Sequence, residues 1–130
     1  MFQVSKKSQY GLRALVFLSK KHKDKKPLSI KEIAKAEAIP FDFLEKILLQ
    51  LEKYKIVRGK RGIGGGYFLA KNPRNISIKE IVGSLEKTIM PVDCSLCGMS
   101  KKCVSKNVWG KVGNAINSTL GKIKLADLIK

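Results

Sequence analysis

With 130 residues and 44% hydrophobic side chains, the chain can form a single buried core, removing roughly two thirds of its unfolded surface from water, which excludes a disordered polycation. Its 27 basic against 10 acidic side chains leave a net charge of +17, so the expected partner is a polyanion. No stretch approaches the roughly 18 uninterrupted apolar residues of a spanning helix, and the N-terminus has no apolar run leading to a small-residue cleavage site, so no membrane association or export is expected and the expected location is the cytoplasm.

Tyr10, Ala14, Phe17 and Leu18 recur at helical spacing while Leu12, Leu15 and Val16 fill a second stripe, which predicts a helix over residues 6–21 buried on most sides. The lysine run that follows, Lys20 to Lys26, reads as a solvated loop, and the single histidine, His22, reads as a surface residue within it. Ser29-Ile30-Lys31-Glu32 is a capping box that opens a short helix with Ile30, Ile33 and Ala34 inward, running to about Ala36. A tight connection through Glu37, Ala38 and Ile39 leads to Pro40, which starts a third helix. Its Leu44, Ile47, Leu48 and Leu51 face the core, and its outward face carries Asp42, Glu45, Lys46, Gln50 and Lys53. Two short helices joined by such a turn, the second amphipathic, describe a helix-turn-helix unit.

Next come two strand-like runs, Ile56 to Arg58 and Tyr67 to Leu69, flanking residues 59–66, a stretch too glycine-rich for regular structure that reads as the tip of a hairpin wing. Gly62, Gly64, Gly65 and Gly66 release the backbone for a sharp reversal and leave no side chain to hold the loop off a surface. Lys60 and Arg61 sit at that tip, and a guanidinium suits the concentrated negative potential of a narrow minor groove. The stretch has neither the GxxxxGK[ST] spacing nor the final glycine of GxGxxG, which excludes a phosphate-cradling enzyme loop. No Ser/His/Asp set or paired-carboxylate site occurs either, so an enzyme is not expected.

Ser77-Ile78-Lys79-Glu80 repeats the capping-box pattern ahead of Ile81, Val82 and Leu85. Beyond it, Cys94, Cys97 and Cys103 fall within ten residues and are the only cysteines. The spacing Cys94-x2-Cys97-x5-Cys103 puts three thiols on one short segment, a ligand set for a soft metal ion or an iron–sulfur cluster, and an odd number could not all pair within one chain. Val104, Val108, Val112, Ala115, Ile116 and Leu120, with Trp109 beside them, then predict a long helix over about residues 104–120 that a head this small could hardly cover, and it is the candidate dimerisation element. The expected fold is mainly α with a small β-hairpin: a winged helix-turn-helix domain over residues 1–86, a cysteine-containing sensor segment over 87–104, and a dimerisation helix and tail over 105–130.

The helix pair, the wing Arg61-Gly-Ile-Gly-Gly-Gly-Tyr67, the cysteines ending six residues before Trp109, and the closing Leu125-Ala126-Asp127-Leu128 together resemble the Rrf2 family of bacterial winged-helix transcriptional regulators. The resemblance implies a homodimer with crossed long helices on a pseudo-palindromic duplex site. It also implies that Asp42, Glu45 and Lys46 face major-groove base edges while Arg61 enters the minor groove. Members that hold an iron–sulfur cluster, the iron–sulfur biogenesis regulator and the nitric-oxide-sensing repressor among them, use three cysteines placed much like Cys94, Cys97 and Cys103; others have no cluster and sense cysteine metabolism through a partner enzyme. Two positions depart from the cluster-binding branches: Lys106 stands where one branch has a histidine ligand, and Gln9 stands where another has an acidic residue near the start of the first helix.

A [2Fe-2S] or [4Fe-4S] cluster normally takes four protein ligands, so the fourth is open among Asp93, Gln9 of the partner subunit, a small thiol or water. Two other readings compete with a cluster-controlled regulator. One is a cluster-free thiol-redox or cysteine-metabolism regulator of the same fold. The other is a zinc-binding RNA-associated protein, against which stand the single CxxC pair and the absence of an aromatic strand platform.

Overall fold

The computed structural model of the protein describes residues 4–22, 26–86 and 105–129. Among the described residues five helices and one hairpin follow in order: α1 (Lys6–Lys20), α2 (Ile30–Glu37), α3 (Phe41–Lys53), β1 (Val57–Lys60), β2 (Gly66–Leu69), α4 (Ile78–Leu85) and α5 (Lys106–Lys122), with 3-10 turns at Pro73–Asn75 and Leu125–Leu128. The mainly helical class with one small hairpin is therefore as expected. Among the described residues no helix is long and apolar enough to cross a membrane.

Local chemistry sets the helix starts. Ser29 and Ser77 each accept from the amide of the residue three positions on, at 3.1 Å in both cases, while Glu32 and Glu80 reach back to the serine amides. Both expected capping boxes form, each contributing about 1 kcal/mol. The Ser77 amide holds the Glu80 carboxyl below the usual carboxylate range, assisted by Lys71 at 3.0 Å. Helix α2 runs one residue further than Ala36, and Ala38 then takes a left-handed conformation with φ 54°, which lets the Ile39 amide donate to Ala34 O at 3.0 Å. That reversal aims the chain from α2 into α3 and buries Ile39.

Ala14, Leu15 and Leu18 of α1, Ile33 of α2, Leu44, Ile47, Leu48 and Leu51 of α3, and Ile81 and Leu85 of α4 share one buried core. Each leucine and isoleucine among them contributes roughly 1.5 to 3 kcal/mol through removal from water. Gly11 is the crossing point: a Cβ there would overlap Leu85 Cδ1 and lie 3.3 Å from Ile47 Cγ2, so its bare backbone lets α1 settle against α3 and α4. Gln50, expected on the outward face of α3, is instead half-buried and donates from Nε2 to Ser84 O at 3.1 Å. Its amide satisfies a carbonyl of α4, a role for which polarity alone gives no sign.

After α5 the chain returns to the head. Ile78 N–H donates to Ile123 O at 2.9 Å, Leu125 N–H donates to Ile76 O at 2.8 Å, and Leu125 is fully buried in the same core as α1 to α4. At the other boundary, Glu86 Oε1 accepts from the Ser8 hydroxyl at 2.7 Å and from the Ser5 hydroxyl and amide, tying the end of α4 to the start of α1. The Ser5 hydroxyl, then the Ser8 hydroxyl and the Ser5 amide, outweigh partial burial and hold the Glu86 carboxyl below the usual carboxylate range.

Two outcomes follow from these local geometries. Ala38→Gly relieves a left-handed alanine and is expected to raise stability by about 0.5 to 1 kcal/mol, measured by urea unfolding at neutral pH. Because the Glu86 carboxyl is depressed on folding, its contribution is complete above the ordinary carboxylate pKa and is lost as pH falls through the folded value. Glu86→Ala should therefore unfold more easily than the native chain at neutral pH, and the gap should narrow in the same urea titration as the pH is lowered below the ordinary carboxylate range.

Candidate nucleic-acid interface

β1 and β2 pair antiparallel in the register Val57 with Leu69, Arg58 with Phe68, Gly59 with Tyr67 and Lys60 with Gly66. A third segment joins the hairpin on its other edge, where Leu28 N–H donates to Tyr67 O at 2.9 Å and Tyr67 N–H donates to Leu28 O at 2.7 Å. Leu28 lies two residues before α2, so these two bonds dock the wing onto the helix pair.

The wing glycines divide into two kinds. Gly62 and Gly64 have φ of 97° and 75°, and a Cβ at either would meet open space, so they turn the tip and keep it slender. Gly65 and Gly66 act differently: a Cβ at Gly65 would overlap Lys60 O, and one at Gly66 would overlap the Leu28 carbonyl. Close approach to an outside surface was expected of all four, yet Gly65 and Gly66 are needed for packing inside the hairpin and against Leu28. Lys60, Arg61 and Ile63 are exposed at the tip, Ile63 completely.

On α3, Asp42, Glu45 and Lys46 are all exposed and lie on one face at i, i+3 and i+4. Beside them an open cleft of about 570 Å³ runs between α3 and the wing, floored by Phe41, Leu49, Glu52 and Tyr67 and bordered by Lys60 and Arg61. Burial raises the Tyr67 phenol above its ordinary value, and the negative charges of Glu52 and Glu45 add to this. The structure thus brings Lys60 and Arg61 to one groove, with Asp42, Glu45 and Lys46 exposed on the helix that forms its other side. Glu52 and the exposed Leu49 belong to the same surface but were not anticipated; an apolar side chain on an otherwise polar helix face was the available signal for Leu49.

Charge is distributed unequally between structural and surface roles. Glu32, Glu52, Glu80, Glu86 and Asp127 each accept from a backbone amide, and Glu37 pairs with Arg13 at 3.6 Å. Among the described residues only Asp42 and Glu45 have a carboxylate with neither a hydrogen bond nor an ion pair, and only two ion pairs form in all. Most cations among the described residues thus stand without an acidic partner, and with a net charge of +17 the molecule has a positive field that an anionic polymer would neutralise.

Cys94, Cys97 and Cys103, with the whole segment 87–104, lie outside the described residues. Among the described residues no three His, Cys, Asp or Glu side chains converge as a metal site. As a donor set the three cysteines fit an iron–sulfur cluster, since thiolates are the usual ligands of iron in such clusters. Of the fourth-ligand candidates, Asp93 is likewise outside the described residues, and Gln9 is exposed with its Nε2 donating to Val4 O at 2.8 Å. His22 is half-buried at the end of α1, beside Leu18 and Phe68.

Residues 4–130 match the family model Rrf2, described as an iron-dependent transcriptional regulator. The protein rrf2 of Nitratidesulfovibrio vulgaris is 31% identical over 98% of this chain and 87% of its own. Among solved structures, the IscR of T. potens superposes with a TM-score of 0.81 at 34% identity, covering 98% of this chain and 86% of the other. CymR, named as the global cysteine regulator of B. subtilis, superposes with a TM-score of 0.82 at 31% identity, covering 98% and 96%.

Proposed function

The chain belongs to the Rrf2 family of transcriptional regulators, proteins that bind DNA and are not enzymes, and from that premise we propose that it grips a pseudo-palindromic promoter site as a homodimer under the control of an iron–sulfur cluster. The observation that carries the reading is the presence, on one basic surface, of two unengaged carboxylates on the exposed face of α3 and an arginine-tipped wing that borders a cleft against the same helix. Every other described acid has a structural task, whereas Asp42 and Glu45 are held out to solvent beside Lys46. A carboxylate accepts from a cytosine amino group and repels a wrong base edge, so on a strongly basic surface it is suited to selecting sequence instead of adding affinity. Lys60 and Arg61 meet the backbone and minor groove, and Gly62 and Gly64 leave the tip narrow enough to enter.

Helix α5 supplies the twofold contact. Val108 is 55% exposed, and Trp109, Val112, Ile116 and Leu120 are only half-buried along one helix of a single chain, an apolar stripe that a second copy would cover. Division of labour then follows the expected segments: reader over 1–86, sensor over 87–104, dimer contact over 105–130, operating in the cytoplasm.

Cys94, Cys97 and Cys103 would hold the cluster, and when bound it supplies redox lability toward oxygen or nitric oxide. The chain's own part is mechanical. The cysteine segment starts beyond Glu86, which is tied to the first turn of α1, and ends before Ser105, which precedes α5, so a change at the cysteines bears on the reader and the dimer helix together. The likeness to CymR supports a second reading in which the same fold answers to cysteine metabolism with no cluster.

Anaerobic purification separates the two. A brown protein with iron and sulfide near stoichiometry, whose loaded and stripped forms differ in affinity for a duplex enriched from a random library, is expected; a colourless, iron-free protein leaves the cysteine-metabolism or thiol-redox reading. On the same duplex, binding should weaken steeply with added salt, and Arg61→Ala should cost about 1 to 3 kcal/mol with the unfolding midpoint unchanged. Equal binding by that variant removes the wing from the mechanism.

A further inference from the structure

Glu52 is the only acid between Glu45 and Glu80, and its neighbours in sequence include Lys53, Lys55, Arg58, Lys60 and Arg61. Among the described residues it nevertheless forms no ion pair. Its Oε2 accepts instead from the Gly59 amide of β1 at 2.9 Å. That amide points away from β2, on the open edge of the hairpin. The opposite edge is already held by the Leu28–Tyr67 backbone bonds, so the carboxylate replaces a missing strand on the side nearest α3. Gly59 is confined between the two groups it joins: a Cβ would stand 3.0 Å from Glu52 Oε2 and 3.4 Å from the Tyr67 ring.

We propose that Glu52 is a positioning residue for DNA binding, which fixes the wing to α3 through the Gly59 amide and thereby sets where Arg61 enters the duplex. The inference rests on the reading that Arg61 meets DNA. Arg61 is two residues beyond Gly59, so the carboxylate is the last tie between α3 and the wing before the tip. A negative charge in this position repels phosphate, and by charge alone its removal would strengthen binding. Positioning has the opposite sign, because a hairpin with one edge untied must be ordered when it binds.

The opposition of sign makes the test decisive. Wild type, Glu52→Ala, Glu52→Gln, Arg61→Ala and the Glu52→Ala/Arg61→Ala double variant are titrated against the duplex that wild type enriches from a random library, with hydrogen exchange at the Gly59 amide read without DNA. Glu52→Ala is expected to weaken binding about three- to tenfold, the range of one net hydrogen bond, with faster Gly59 exchange. Glu52→Gln, whose amide oxygen still accepts, should keep Gly59 protected and bind at least as tightly as wild type. In the Arg61→Ala background the Glu52→Ala loss should shrink below about twofold, since it acts through Arg61. Tighter binding by both Glu52 variants overturns the proposal in favour of simple repulsion, and an undiminished loss in the double variant overturns it in favour of a general structural effect. If Arg61→Ala itself binds as wild type does, the wing reading fails and the proposal with it, whereas Gly59 exchange still reports whether the tie exists.

Discussion

Two backbone hydrogen bonds between Leu28 and Tyr67 decide how the reading surface is assembled. They are possible because Gly66 carries no side chain where the Leu28 carbonyl approaches, at a φ of 152° that other residues rarely adopt. An isolated two-stranded ribbon is marginal in water, and without these bonds β1 and β2 would be one. With them, the hairpin becomes an extension of the segment that leads into α2, so helix pair and wing share a frame. The groove between α3 and the wing is the space this frame leaves open.

The economy of carboxylates completes the picture. Ten acids among 130 residues could have been scattered against 27 cations as surface ion pairs, which contribute little individually. Instead the described acids close helix starts at Ser29 and Ser77, join α4 to α1 at Ser5 and Ser8, and brace the wing at Gly59. Used inward in this way they leave most of the described cations unneutralised, and the architecture and the positive field come from the same allocation.

The helices were legible because apolar residues recur at their period and because Ser-x-x-Glu announces a helix start wherever both partners are free to fold back. The hairpin was legible from the glycine run between two β-prone triplets. What escaped was everything that depends on which groups meet across the chain. Gln50 and Glu45 are alike in pattern, both polar on an amphipathic helix, yet Gln50 finds the Ser84 carbonyl and Glu45 finds solvent. Glu52 carries no sequence signal of its role, since a side-chain-to-backbone bond across seven residues leaves no periodic trace. The four wing glycines read alike and split into two roles only when their neighbours were in place. Leu125 sits in a four-residue turn too short to show a repeat, and its burial depends on Ile76 presenting a carbonyl. Of the candidate site, α3 and the wing tip could be read directly, whereas the cysteines could be read only as a donor set.

The return of the chain at Ile123 and Leu125 makes α5 a lever with a fixed fulcrum. Its C-terminal end is stitched to the backbone around Ile76 and Ile78, while its N-terminal end follows the cysteine segment. Seventeen residues of helix measure roughly 25 Å, so a swing of about 10° at the fulcrum carries the far end through about 4 Å. In a twofold assembly joined along such arms, a small tilt in each would be doubled in the separation of the two heads, which converts a local event near one end of a rod into a change of pitch between distant grips.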